Sequence, residues 1–310
     1  MSPSRPSVAI GVDFGGTKIE AAALDSSGAP LARRRVPTPR SYDEALIAVR
    51  DLVTSVEADT AVVDRIGVGA PGSISPQTGL LRNSNTLYLN GRSFGADLSR
   101  VLGKAVRTSN DANCLALSEA ADGAGAGARI VFAVIIGTGC GGGLVVDGRL
   151  IEGAHGVGGE WGHNPLPWPK EAEVREALRC WCGQSGCLET WISGTGLQDD
   201  FRRVEGRELS GEAIVAAAQR GEAAALAALD RYVDRLGRAL ASVVNLVDPD
   251  VIVLGGGLSN VSEIIERTPA AVRSRVFSDV WDAPIRRAQW GDSSGVRGAA
   301  RLWDESIAQS

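Results

Sequence analysis

The chain has 310 residues, 44% of them hydrophobic and 22% charged, with a formal net charge of -5. That length exceeds what one hydrophobic core usually serves, so two domains are expected, with the cleft between them as the natural active site. The composition is that of a soluble globular protein, the acidic balance argues against a nucleic-acid partner, and no apolar stretch reaches the ~18 residues of a membrane span.

The first ten residues, MSPSRPSVAI, lack the apolar core of a signal peptide, which predicts a cytoplasmic protein. VAIGVD and IEAAALD then flank the turn FGGTK, the pattern of a β-hairpin, and LARRRV reads as a third strand. Apolar residues at helical spacing (Ala45, Ile47, Val49, Leu52, Val53, Val56) predict a helix over 42–56, and Arg65–Val68 returns to a strand. AVRTS is a strand leading into a helix over 112–121, and GAGAGA at 123–128 is the best domain boundary.

The pattern then restarts: IVFAVIIG and GLVVDG flank a second glycine turn. A long amphipathic helix over 222–247, a buried strand VIVL ending in three glycines, and a helix over 261–275 follow. Alternating strands and helices predict an α/β fold, and two halves that each open on a glycine-turned hairpin suggest duplication. Domains are expected at 1–122, with a helix over 295–310 packing back on it, and at 123–294, with an insertion at about 160–190.

Asp13-Phe14-Gly15-Gly16-Thr17-Lys18 is the first chemical constellation. Its glycines let backbone N–H groups approach phosphate oxygens, Thr17 and Lys18 can donate to them, and Asp13 can hold hydrated Mg²⁺. A plain hairpin turn fits the same residues, but Gly137-Thr138-Gly139 repeats the composition and points to phosphate binding. Gly67-x-Gly69-x-x-Gly72 and Gly137-x-Gly139-x-x-Gly142 match the dinucleotide spacing without opening a helix, and no P-loop signature is present. Gly255, Gly256 and Gly257 mark the carboxyl end of a strand, where open α/β sheets bind ligands, though a tight turn explains them equally.

Asn110-Asp111 lies where a strand gives way to a helix. Asp111 can accept a proton from an attacking hydroxyl, and both residues also suit a helix N-cap. His163 with Cys180, Cys182 and Cys187 supplies one imidazole and three sulfurs, a full tetrahedral set for structural zinc. Five cysteines with three crowded into eight residues suit a metal in a reducing compartment better than disulfides. Cys114 and Cys140 stand apart, and His155 reads as a loop residue. Zinc on one ring nitrogen of His163 leaves the other N–H to donate to a ligand, while Glu160 and Glu189 can accept from vicinal hydroxyls or be simple surface carboxylates.

Placed together, DFGGTK (13–18), GAPGSIS (69–75), LNG (89–91), SNDANC (109–114), IGTGCGGG (136–143), GGEWGHNPL (158–166), CWCGQSGCLET (180–190) and VLGGGLSN (253–260) closely resemble the ROK family of bacterial sugar kinases and repressors. The resemblance spans nearly the whole chain and implies a duplicated, ribonuclease H-like, actin-like two-domain fold with an interdomain cleft. It implies an ATP-dependent hexose kinase acting at the 6-hydroxyl and using Mg²⁺ with ATP, with Asp111 as base and Asn110, Glu160, His163 and Glu189 on the sugar. Asn90 and the Gly72 loop are lesser sugar contacts, and a homodimer is implied.

PGSIS, NSNTLYLNG, NPLPW and GDSSGVRGAA look most like fructokinases of the family, with mannokinases and glucokinases as alternatives. A sugar-responsive repressor is disfavoured because only seven residues precede the first strand. A catalytically silent sugar binder is disfavoured because Asp111 and both phosphate turns are intact.

Overall fold

The computed structural model describes residues 8–304, so the expected helix over 295–310 is described only in part and residues 305–310 lie outside it. In chain order the elements are β1 (Ala9–Phe14), β2 (Lys18–Leu24), β3 (Pro30–Pro37), α1 (Tyr42–Asp59), β4 (Arg65–Gly69), β5 (Ser73–Ile74), β6 (Leu81–Arg82), α2 (Phe94–Leu102), β7 (Ala105–Ser109) and α3 (Asp111–Asp122). They continue with β8 (Ile130–Ile136), β9 (Cys140–Val146), β10 (Arg149–Leu150), α4 (Glu171–Arg175), α5 (Glu189–Ile192), α6 (Gly194–Glu205), α7 (Gly211–Gln219) and α8 (Ala223–Val247). The chain closes with β11 (Val251–Gly255), α9 (Ser262–Arg273), β12 (Ile285–Arg287) and α10 (Ser294–Ala300).

Two compact units result. The first takes in the chain up to Gly127, Gly143–Gly159 and the chain from Gln289; the second takes in Ala128–Gly142 and Glu160–Ala288. The first sheet runs β3-β2-β1-β4-β7, with β1–β2 and β2–β3 antiparallel and β1–β4 and β4–β7 parallel. Its core gathers Val12, Phe14, Ile19, Ile66 and Val68 from the strands with Phe94 and Leu98 from α2. α1 turns Ala45, Leu46, Val49, Leu52, Val53 and Val56 inward, each larger apolar side chain contributing roughly 1.5–3 kcal/mol on burial.

Residues 289–303 are fixed on the first unit by two acids of α3. Buried Glu119 accepts from the Gln289 and Trp290 amides and from Ser294 Oγ. Asp122 takes Arg297, Arg301 and the Trp290 indole. The Trp303 indole donates to Ile66 O at 2.9 Å while Arg107 lies over its ring.

A second sheet runs β10-β9-β8-β11-β12, with β8–β11 and β11–β12 parallel. In the second unit α8 packs on α7 and α9. Two of its inward residues, Arg235 and Arg238, meet Glu173 of α4: Arg235 Nε donates at 2.8 Å, and Arg238 donates from both terminal nitrogens at 2.9 and 2.7 Å. Arg235 also reaches Asp200 of α6 at 2.8 Å. Burial alone raises the pKa of Glu173, but the hydrogen bonds from Arg238 and Arg235 outweigh it and hold the carboxyl down to about 2. This network ties the segment after His163 to the helices beneath it. Among the described residues no helix is long and apolar enough to cross a membrane.

Candidate active site

In the first unit, Asp13 ends β1 and the Gly15–Thr17 turn is a hairpin closed by the Gly15 amide on Lys18 O at 2.9 Å and latched by Thr38 Oγ1 on Gly15 O at 2.7 Å. Lys18 opens β2 and pairs with exposed Asp292 at 3.4 Å. Asp13 is pushed up to about 7, first by burial and then by the carboxylates of Asp111 and Glu20, which together outweigh Lys18. The turn and Asp111 therefore share one electrostatic environment.

Asp111 is the first residue of α3, with its Oδ1 accepting the Ala112 amide at 2.9 Å. The N-cap alternative is met by Asn110, whose Oδ1 accepts from the Asn113 amide at 2.6 Å and leaves its NH₂ for another partner. The strand before them is held in turn: Ser109 Oγ donates to Glu152 at 2.7 Å and accepts from Asn113 Nδ2 at 3.2 Å. A cavity of about 430 Å³ adjoins this turn, lined by Gly72, Ser73, Ile74, Ser109, Asn110 and Glu152 among others.

Gly72 has φ +96°, and a Cβ there would meet Arg82 O at 2.4 Å, so the loop admits only glycine. Asn90 accepts from Ser84 N and donates to Ser84 O, both at 2.9 Å, which shapes the 84–90 loop and leaves one N–H and one lone pair of its amide. His155 is exposed, and its carbonyl takes Arg82 at 2.7 Å.

In the second unit, the Gly137-Thr138-Gly139 turn joins β8 to β9 and docks on the start of α6. Gly194 N donates to Gly137 O at 2.7 Å, and Thr195 Oγ1 donates to Thr138 O at 2.9 Å. A cavity of about 650 Å³ brings this turn together with Gly257, and adds Thr195, Gln198, Glu212 and Asn260. Gly255 ends β11, and Gly256 lies beside the end of β8. Thr195, Gln198 and Glu212 carry no sequence motif and come from α6 and α7, whereas Asn260 closes the VLGGGLSN segment after β11; only the fold unites them.

Glu160, Trp161, Gly162 and His163 form a short helical turn whose Trp161 packs edge-to-face on Phe132 at 5.4 Å. A Cβ on Gly162 would meet Cys140 O at 2.1 Å, which fixes glycine between Trp161 and His163. The ligand atoms of His163, Cys180, Cys182 and Cys187 all lie within 4.8 Å of one another. His163 Nδ1 is 3.6 Å from Cys180 Sγ, and Cys182 Sγ is 3.6 Å from Cys187 Sγ. A tetrahedron with Zn–S bonds near 2.3 Å has edges of roughly 3.7 Å, so the four side chains fit such an ion.

The loop is also held by backbone hydrogen bonds: Cys180 N donates to Gln184 O at 2.8 Å, and Leu188 N donates to Asn164 O at 2.8 Å. Glu189 follows the last cysteine by two residues. Its Oε2 accepts the Cys140 amide at 3.0 Å, and its Oε1 accepts the Trp181 indole N–H at 2.6 Å.

The family model of the ROK family matches residues 9–306. The chain is 40% identical over 296 residues to an N-acetyl-D-glucosamine kinase of Pectobacterium atrosepticum, covering 94% of this chain and 97% of that one. It is 37% identical to the N-acetyl-D-glucosamine kinase of Haemophilus influenzae, with 94% and 98% covered. Among solved structures it is similar to a ROK hexokinase from Thermus thermophilus, with TM-score 0.84, 31% identity, and 95% and 97% covered. A ROK family glucokinase from Streptomyces griseus, solved with glucose and AMPPNP, gives TM-score 0.77 and 28% identity, with 96% and 99% covered. On this agreement of motif, architecture and near full-length similarity, the chain belongs to the ROK family and has the duplicated, actin-like α/β fold of its sugar kinases.

Proposed function

We propose that the protein transfers the γ-phosphoryl group of ATP to the 6-hydroxyl of a hexose. The observation that carries this reading is the pairing, within one unit, of the Asp13–Lys18 turn with Asp111 at the head of α3. In phosphoryl transfer the protein mainly positions the reactants and neutralises charge. Asp111 orients the attacking hydroxyl and takes its proton, and Asn110 offers its NH₂ to a neighbouring hydroxyl. Gly72 shapes the loop beside them. In each unit the turn offers donors to phosphate oxygens, Gly16, Thr17 and Lys18 in the first and Thr138 and Gly139 in the second, while the Gly15 and Gly137 amides close their own turns on Lys18 O and Gly139 O. The cavity at Gly137, Thr195 and Gly257 takes the nucleoside, and Gly255 and Gly256 lead into it from the end of β11.

Asp13 is the residue placed to hold Mg²⁺ with ATP, a cation that screens phosphate charge when bound. His163, Cys180, Cys182 and Cys187 are placed to hold structural zinc, which suits the donor set and leaves the second ring nitrogen of His163 for a hydroxyl. Glu160 and Glu189 accept from the remaining sugar hydroxyls.

The resemblance in PGSIS, NSNTLYLNG and NPLPW favours fructose, whereas relatives at 40% and 37% identity bear the name N-acetyl-D-glucosamine kinase. Full-length identity weighs more than short segments, so N-acetyl-D-glucosamine is the leading substrate and fructose the second. The test is kcat/KM for both sugars, glucose and mannose, with ³¹P and ¹³C NMR of the product. The highest kcat/KM on N-acetyl-D-glucosamine with phosphate on O6 supports the reading. Fructose in first place restores the fructokinase assignment, and phosphate on another oxygen removes the 6-kinase reading.

A further inference from the structure

Trp181 sits between the two cysteines of the Cys-x-Cys pair, and its side chain is 57% exposed. An indole kept in water at the tip of a tight loop gives up burial worth on the order of a large apolar side chain. What it does instead is directed. Its N–H donates to Glu189 Oε1 at 2.6 Å, and its ring meets the His163 imidazole edge-to-face with centroids 5.0 Å apart. The other oxygen of the same carboxylate is held by the Cys140 amide at 3.0 Å.

Glutamate has three rotatable side-chain bonds, and fixing them costs free energy that a binding residue must otherwise meet when its ligand arrives. Each carboxylate oxygen accepts two hydrogen bonds. Trp181 occupies one position on Oε1, with Cys180 Sγ 4.0 Å from the same oxygen, and Cys140 occupies one on Oε2; a metal-bound Cys180 thiolate does not donate, so each oxygen keeps a position in a fixed direction. We propose that Trp181 is a positioning residue for hexose recognition: its indole N–H presets the Glu189 carboxylate to receive a pair of sugar hydroxyls. This rests on the reading of Glu189 as a sugar contact. It goes further in linking recognition to the metal loop by a second route besides His163, because Trp181 is carried by the backbone between Cys180 and Cys182.

The test is Trp181→Phe, which keeps an aromatic ring beside His163 but removes the pyrrole ring with its N–H donor, read with zinc stoichiometry in the same preparations. A lost charge-assisted hydrogen bond corresponds to about a tenfold change in binding. The expected result is a hexose KM about tenfold higher, with kcat and the ATP KM within about threefold of wild type and zinc content unchanged. In a Glu189→Gln background the same substitution is expected to add less than about twofold, since residues acting through one another are not additive.

An unchanged hexose KM overturns the inference, as does a rise that comes with zinc loss or with an equal rise in the ATP KM. Additive effects in the double variant overturn it too. A wild type that turns over no hexose sinks the kinase reading and this inference with it, whereas an active wild type with an indifferent Trp181→Phe overturns the inference alone.

Discussion

Glu173→Gln removes the charge at the centre of the most buried ionic network in the second unit. The side chains involved are 7% exposed for Glu173, 5% for Arg235 and 1% for Arg238. Taking one partner from a buried pair typically costs about 3–5 kcal/mol, because the remaining charge is left in a poor solvent. Here each arginine keeps a second acceptor: Arg235 has Asp200 at 2.8 Å, and Arg238 has Asp234 at 3.2 Å and the Trp168 carbonyl at 2.9 Å. Those contacts reduce the expected loss to ~2–4 kcal/mol. For a unit of this size that corresponds to roughly 4–12 °C in the transition assigned to it.

The loss has a pH signature. The Glu173 carboxyl is held down to about 2 from its ordinary 4.5, so its stabilisation is complete above about 4.5 and fades as pH falls toward 2. Gln does not titrate. Differential scanning calorimetry of wild type and Glu173→Gln at pH 7 and pH 3 should therefore show a wide gap that narrows in acid. Arg50→Ala, which breaks an exposed pair with Asp51, serves as the control and should shift stability by less than about 1 kcal/mol. A Glu173→Gln protein within about 1 kcal/mol of wild type at pH 7, or a gap that does not narrow, would refute the reasoning.

Asp111→Asn should lower kcat by roughly 10²–10⁴ while isothermal titration finds hexose affinity within about threefold of wild type; a comparable loss of affinity would make Asp111 a binding residue instead. Asp13→Asn, studied without Mg²⁺ or nucleotide, should be more stable than wild type at pH 8 by on the order of 3 kcal/mol. A carboxyl raised from 3.8 to about 7 costs stability as pH rises through that interval, so the advantage should vanish near pH 4. Zinc analysis should find about one ion per chain, and Cys187→Ser or prolonged chelation should lower both zinc content and Tm together; full stability in a zinc-free preparation would remove the metal from the account.

Much of the fold was legible because local pattern and tertiary outcome agree. Short apolar runs around FGGTK and TGCGG became the strands of the β1–β2 and β8–β9 hairpins, and the spacing from Ala45 to Val56 became the buried face of α1 except at Ile47, which is off that face and 45% exposed. α8 was legible to within a residue, since a 25-residue amphipathic stretch leaves little choice. The cysteine and histidine spacing was legible because metal ligands must be chemically suited and near one another, and the fold brings those four together.

What stayed hidden depends on partners far apart in sequence. Nothing local announces that Glu173, Asp200, Arg235 and Arg238 form one network, although two arginines three residues apart on the apolar side of α8 were a usable signal. Likewise Asn110 could be assigned to capping only once its bond to the Asn113 amide was seen, and nothing local showed that Asn90 braces the backbone of Ser84 from both ends of its amide. The polar lining at Thr195, Gln198 and Glu212 comes from two separate helices, α6 and α7, and matches no motif.

The most direct test of the central claim is ADP release measured with MgATP and each hexose in turn, using wild type and Asp111→Asn side by side. Hexose-dependent ADP release by wild type, greatest with N-acetyl-D-glucosamine and lost in Asp111→Asn, is the predicted result; ADP release that ignores both hexose and Asp111, or none with any hexose, would contradict it.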